Sequence, residues 1–361
     1  MSNLPKTMKA LVAYAPRDYR LVKDFPVPRA EGDDLIVKVE GCGVCAGDVK
    51  SFAGAKSFWG GDGFPVYIKA PVIPGHEFVG TVVETGPDQK EFKVGDRVVS
   101  EQIVPCNECK FCRSGRYWMC QKHDLYGFQN NVNGGMAEYM RYPHNALKYK
   151  IPHDMPLEQA MLIEPYGCSK HCVDRAQITN EDFVVLSGAG TLGLGMVGAA
   201  RKCNPHKLVV LDMNDRRLEK ALEFGADMAL NPSKENVVKK VMEMTDGYGC
   251  DIYIEATGHT SSVTQGLEMI RKMGRFVEFS VFKEPVLVDW SIIGDRKELD
   301  ILGAHLSPYS YPWVIQWIQD GTMPTAGVVT HKFSLDDWEE AFRLASKAAD
   351  DTLKVAIIPS M

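Results

Sequence analysis

The hydrophobic positions of the chain change their period part-way along. From Met8 to about Pro152 they form short runs, Leu35 to Val39, Val79 to Glu84, Val94 to Ser100 and Ala137 to Arg141, punctuated by Gly and Pro. Such runs predict the strands of an irregular, mainly β domain with long loops. After Met155 strand and helix alternate, which predicts a parallel sheet with helices on its faces. Phe183 to Leu186 and Leu208 to Leu211 are continuous apolar runs, as doubly covered strands require, with a helix from about Leu192 to Arg201 between them. Ile252 to Glu255 and Phe276 to Phe279 read as later strands of the same sheet. Beyond about Asp300 the alternation ends. Leu353 to Pro359 is one more strand, which either closes that sheet or returns to the first domain. The pattern divides the chain into a mainly β part over 1–155, an α/β part over 156–299 and a tail over 300–361 whose domain it leaves open.

Composition bounds the picture. A chain of 361 residues is too long for one ordinary core and suits two domains of about 150 residues. A net charge of −6 argues against a nucleic-acid surface. No run approaches the ~18 apolar residues of a membrane span, and MSNLPKTMKA has neither an apolar core nor a small-residue cleavage site, so a cytoplasmic setting is expected. A reducing compartment changes how the ten cysteines read, because a regular cluster there signals metal more often than disulfides.

Cys106, Cys109, Cys112 and Cys120 are spaced so that four thiolates can converge on one tetrahedral zinc. Four ligands leave no open position, so this zinc is expected to be structural. Unrelated free cysteines and a redox CxxC pair are the alternatives, the latter disfavoured because no βαβ unit surrounds the motif. Cys45, in GCGVCAGDVK, and His76 with Glu77, in PVIPGHEFVG, lie at glycine-rich bends and taken singly decide little.

Gly188, Gly190 and Gly193 form GxGxxG between a strand and a helix, with Thr191 and Leu192 inside the motif. Backbone N–H groups at such a helix start suit a dinucleotide pyrophosphate. Asp212 ends the next strand and suits a ribose 2′-hydroxyl, favouring NAD, while Arg216 and Arg217 nearby keep NADP open. An N-cap for the following helix is the other reading of Asp212.

GHEFVG, GVCAGD, the four-cysteine segment and SGAGTLG together resemble the zinc-dependent medium-chain alcohol and polyol dehydrogenases over essentially the whole chain. The resemblance implies a GroES-like catalytic domain over 1–155 and 300–361, a Rossmann doubly wound α/β domain over 156–299, NAD, and two zincs per chain. It implies catalytic zinc ligands at Cys45 and His76, an adjacent acid at Glu77 and a further ligand, direct or through water, at Glu164. Asp48 corresponds to the carboxylate that orients His76. Where relatives carry a proton-relay Ser or Thr this chain has Gly47, and Lys50 stands where many have the relay's terminal His. A water route toward Glu77 or Glu164 is therefore expected, with Lys50 as a candidate. Cys42, Cys168, Cys172, Cys203 and Cys250 read as apolar fillers.

SEQIVPC, HDLYGF, ATGHTS and KELDILGAHLSPY are most similar to enzymes of four-carbon polyols. The implied reaction oxidises a secondary hydroxyl of a small polyol such as erythritol or threitol to a ketose such as erythrulose. Sorbitol, xylitol, butanediol and L-threonine are alternative substrates, and a non-catalytic NAD-binding or sensing protein is an alternative of another class. A zinc-ribbon nucleic-acid binder conflicts with the acidic balance. Relatives imply a homodimer or homotetramer, with Val281 to Val288 as a candidate edge strand.

Overall fold

A computed structural model describes residues 4–347 and 351–361, which fall into two compact units. The first comprises Met1–Glu164, Tyr311–Asp320 and Thr325–Met361, and the second Pro165–Ser310 and Gly321–Pro324. The boundaries thus fall later than the residues 155 and 300 at which the sequence pattern changes.

The first unit opens with the hairpin Thr7–Ala15 and Asp18–Pro26. Its sheet contains β1 (Leu35–Val44), β2 (Glu77–Thr85), β3 (Arg97–Ser100), β4 (Tyr139–Tyr142) and β5 (Lys148–Lys150). β3 starts later than the apolar run beginning at Val94, because Gly95 turns the chain at φ 95°.

The second unit carries β6 (Phe183–Ser187), β7 (Lys207–Leu211), β8 (Met228–Leu230), β9 (Cys250–Glu255), β10 (Ile270–Glu278) and β11 (Asp300–Gly303). These pair in parallel in the order β8-β7-β6-β9-β10-β11. Strand order reverses between β6 and β9, the place where a doubly wound sheet opens a crevice for a ligand. β11 lies beyond Leu299 yet completes this sheet. As an edge strand it is mostly exposed, so the buried apolar run that marks its neighbours is missing from its sequence. Val281 to Val288 forms no strand, and the edges of this sheet are β8 and β11.

The last segments, β12 (Val329–Phe333) and β13 (Lys354–Ile357), return to the first unit and give its sheet the order β12-β13-β1-β2-β3-β5, with β4 beside β1. Of the two places open to the C-terminal strand, it takes the first domain. β1 is therefore an inner strand, and nearly every side chain of LIVKVEGCGV is buried. Gly43 of β1 faces Glu77 of β2 on one side and Ala356 of β13 on the other. No helix among the described residues is long and apolar enough to cross a membrane.

Candidate active site

The four-cysteine segment folds as a local lobe around two short turns, Lys110–Arg113 and Tyr117–Met119. Cys106, Cys109, Cys112 and Cys120 bring their sulfurs within 4.8 Å of one another. Cys109 and Cys112 sulfurs lie 3.5 Å apart, and Cys106 and Cys112 sulfurs 3.9 Å apart. Sulfurs each 2.3 Å from one tetrahedral ion lie about 3.8 Å apart, whereas a disulfide needs about 2.05 Å. Backbone N–H groups of Cys106, Cys109, Cys112 and Gln121 donate to sulfurs of the set. Those from Cys112 and Gln121 lower the Cys109 pKa to about 6, favouring the thiolate a metal needs. The donors fit zinc.

A buried carboxylate seats this lobe. Tyr117 donates to both oxygens of Glu101 at 2.9 Å, and Tyr149 of β5 donates to Oε1 at 2.8 Å. Burial without an offsetting cation pushes Glu101 from 4.5 up to about 7, although the tyrosine hydrogen bonds pull it down. The folded protein thus holds this proton to higher pH than the unfolded chain. The stability gained is complete below pH 4.5 and is lost as pH rises through about 7. Between pH 5.5 and 8 the loss amounts to about 2 kcal/mol. Glu101→Gln should flatten this slope in denaturant unfolding, and a variant retaining the full wild-type slope would refute the assignment.

The second cluster is built at the end of β1. The chain leaves the strand at Val44 and enters the helix α1 (Ala46–Phe52), for which Cys45 is the N-cap. Asp48 Oδ2 accepts the Cys45 N–H at 2.9 Å, fixing the start of the helix and with it the thiol. His76 and Glu77 arrive at the start of β2, and ligand atoms of Cys45, His76 and Glu77 all lie within 4.8 Å of one another. Asp48 Oδ1 stands 3.9 Å from His76 Nδ1, and both atoms are buried and make no hydrogen bond. Burial works against a charge on His76, but the Cys45 sulfur and the Asp48 carboxylate outweigh it and raise its pKa. A buried imidazole beside a thiol and acids, with a carboxylate behind its other nitrogen, is the donor set of a zinc ligand held in place. Glu164, in the helix Ile163–Ala176, lies outside this tight cluster, yet its charge is felt at His76 and at Lys354. Lys50 follows on α1, half-buried.

Lys354, which sequence reading missed, belongs to this centre. Its Nζ donates to Glu77 Oε1 at 2.7 Å and to Oε2 at 2.6 Å, and both side chains are buried. Burial opposes the ammonium charge, but Glu77 outweighs it and raises the Lys354 pKa. The pair spans three strands, from β2 across β1 to β13. A Cβ on Gly43 would collide with Glu77 Oε2, so the missing side chain is what lets the carboxylate cross. Phe128 packs its ring 5.5 Å from His76 and stacks on Phe58 at 5.4 Å, forming an apolar wall beside the cluster.

In the second unit the three glycines do different work. Gly188 takes φ 110°, and a Cβ there would lie 2.8 Å from the Ala256 carbonyl oxygen. A Cβ on Gly193 would collide with the Gly188 carbonyl oxygen, so this glycine permits close helix–strand packing. Gly190 caps the helix Thr191–Cys203 and has nothing within 4 Å of its Cβ position, an approach left clear for a phosphate. Thr191, Leu192 and Gly193 form the first turn of that helix. Asp212 accepts the Ala189 N–H at 2.7 Å and the Asn214 N–H at 2.9 Å, tying the end of β7 to the loop. The N-cap of the next helix is Asn214, not Asp212; Asn214 Oδ1 accepts N–H bonds from Arg216 and Arg217.

A mainly β unit with two metal-competent donor sets and a doubly wound unit with a phosphate-ready glycine turn define a metal- and nucleotide-dependent oxidoreductase. Two family models match: the alcohol dehydrogenase GroES-like domain over residues 31–153 and the zinc-binding dehydrogenase over 191–320. The erythritol/L-threitol dehydrogenase of Mycolicibacterium smegmatis is 47% identical over the full length of both chains. A structure from Escherichia coli CFT073, described as an alcohol dehydrogenase complexed with NADH, superposes with TM-score 0.87 at 28% identity, covering 98% of this chain and 100% of that one. A zinc-binding dehydrogenase of Sinorhizobium meliloti bound to NADP superposes with TM-score 0.88 at 27% identity, with 98% and 100% covered. The chain belongs to the zinc-dependent alcohol dehydrogenase family and is a dehydrogenase.

Proposed function

We propose that the protein oxidises a secondary hydroxyl of a four-carbon polyol, erythritol or threitol, to the corresponding ketose, with NAD as hydride acceptor. The observation that carries this reading is the full-length 47% identity to an erythritol/L-threitol dehydrogenase. Oxidation removes a hydride from carbon and a proton from oxygen. Cys45 and His76, with Glu77 or Glu164, would hold a zinc ion, which would supply a Lewis acid to make the alcohol hydroxyl more acidic. Asp48 fixes the Cys45 backbone and backs His76, keeping the donor set in one geometry. Glu77 gives both carboxylate oxygens to the Lys354 ammonium, whereas Glu164 stands outside that pair and is the candidate acid–base group. Phe58 and Phe128 exclude water from one side of the reacting centre. Cys106, Cys109, Cys112 and Cys120 would hold the second zinc, which takes no part in the reaction.

The choice of NAD rests on Asp212, whose carboxylate at the end of β7 would repel a 2′-phosphate. A panel of tetritols, pentitols, hexitols, 2,3-butanediol and L-threonine, each with NAD and NADP, tests both halves of the reading. Tetritol with NAD should give the highest kcat/KM, and Asp212→Gly should move the cofactor ratio toward NADP by about tenfold or more. A wild type that prefers NADP, or that leaves tetritols untouched while oxidising another substrate, would overturn the corresponding half.

A further inference from the structure

The second unit sets two acids side by side at the carboxyl end of its sheet. β9 ends at Glu255 and β10 at Glu278, and the two residues are paired in register on neighbouring parallel strands about 4.8 Å apart, so both side chains leave the sheet on one face. Glu255 is fully buried, and it accepts the Thr257 N–H at 2.8 Å, the Thr257 hydroxyl and the Gly258 N–H at 3.1 Å, an arrangement suited to an anion. Glu278 is half-buried, and its Oε1 is buried without a hydrogen bond. Among the described residues neither carboxyl meets a cation. Lys170 pairs with Asp174, Arg271 pairs with Asp251, and Arg175 donates to the Gly303 carbonyl oxygen. The strands on either side offer no charge either, since β6 sets Ser187 opposite Glu255 and β11 sets Gly303 opposite Glu278. Of the titratable neighbours, Tyr253 bonds Ser262, His259 turns its ring to Ser261, and the Cys172 thiol is pushed up by burial and by the two acids. Burial and the Glu255 charge push Glu278 from 4.5 up to about 7, although the Ser280 N–H pulls it down. Phe276 and Val277 before it are buried apolar residues, and another apolar side chain would end the strand without this repulsion.

The pair stands beside the cofactor crevice. The loop after Glu255 packs on the glycine turn, where a Cβ on Gly188 would lie 2.8 Å from the Ala256 carbonyl oxygen. β9 and β10 lie on the opposite side of β6 from β7 and Asp212, so a dinucleotide with its adenosine ribose at Asp212 extends its nicotinamide half toward them. We propose that Glu278 and Glu255 select the redox state of the nicotinamide, favouring the cationic oxidised ring when both are ionised and relaxing that preference when Glu278 is protonated. This rests on the NAD reading above. Hydride addition removes the positive charge of the ring, so the reduced cofactor gains nothing from the second carboxylate. As pH rises through about 7 the pair passes from one negative charge to two, and NAD tightens relative to NADH. At about 10 Å, in a partly wet crevice, one such charge is worth about threefold to tenfold in the affinity ratio.

The test measures Kd for NADH by its fluorescence and for NAD by competition, on full-length zinc-loaded wild type, Glu278→Gln and Glu278→Leu, with melting temperatures alongside. In wild type the ratio of the NADH Kd to the NAD Kd should rise about threefold to tenfold between about pH 6 and pH 8. In both variants, one of matching shape and one apolar, the ratio should stay near its low-pH wild-type value throughout. A flat wild-type ratio would overturn the proposal whether or not the variants fold. So would variants that keep the full wild-type pH dependence, or an equal weakening of both cofactors with rising pH, which would assign the pair to the phosphates. A wild type that binds only NADP and NADPH would remove the NAD reading, and the ratio taken on that pair would still test this proposal, because the ring charge is the same.

Discussion

Lys354→Met should lower the unfolding free energy by about 3–5 kcal/mol, a large fraction of what holds a typical domain together. Lys354 and Glu77 are both buried, and the two hydrogen bonds between them satisfy the carboxylate on both oxygens. Methionine has nearly the same length and fills the space, so the cost comes from electrostatics and not from a cavity. It leaves an anion in the interior without its cation. The double variant Lys354→Met with Glu77→Gln removes the stranded charge as well and should recover most of the loss. Denaturant unfolding of wild type and the variants reads this directly. Equal destabilisation in the single and double variants would show that packing, not charge, is the function of Lys354.

The largest effect on activity is expected from Cys45→Ala. The backbone N–H that Asp48 accepts is retained, so α1 keeps its start, while the thiol is lost from the donor set. Losing the Lewis acid should lower NADH formation by about three orders of magnitude or more, because such a metal supplies several kcal/mol of charge stabilisation. Metal analysis should fall from two zincs per chain to one, since the four-cysteine lobe is built from other residues. NADH binding, followed by its fluorescence, should persist, because the glycine turn belongs to the second unit. Retention of both zincs with near-normal turnover would remove Cys45 from the proposed site.

What could be read from the sequence follows the range of the interactions. The cysteine lobe and the glycine turn are each closed within about fifteen residues, so their spacing alone carries the geometry. The strands β6, β7 and β9 were legible because burial on both faces writes continuous apolar runs. β11 was not, since an exposed edge strand needs no such run. The Cys45, His76 and Glu77 set needed a family resemblance to stand out, because two bends some thirty residues apart have no period. Lys354 lay beyond reach: its partner is 277 residues away, and a single lysine opening an apolar strand looks like a solvated end. Gly43 carried the only local trace, and its meaning appears only once the register of three strands is known.

The same bridge bears on how the protein is made. The first unit is interrupted by the whole of the second, and β13 is its inner strand beside β1. During synthesis the segment bearing Cys45, His76 and Glu77 emerges long before the lysine that neutralises it, and domains fold largely in the order they are made. The nascent first unit must wait with an uncovered strand edge and a carboxylate lacking its cation while the nucleotide unit is completed. Chaperone dependence or translational pausing should concentrate in that interval.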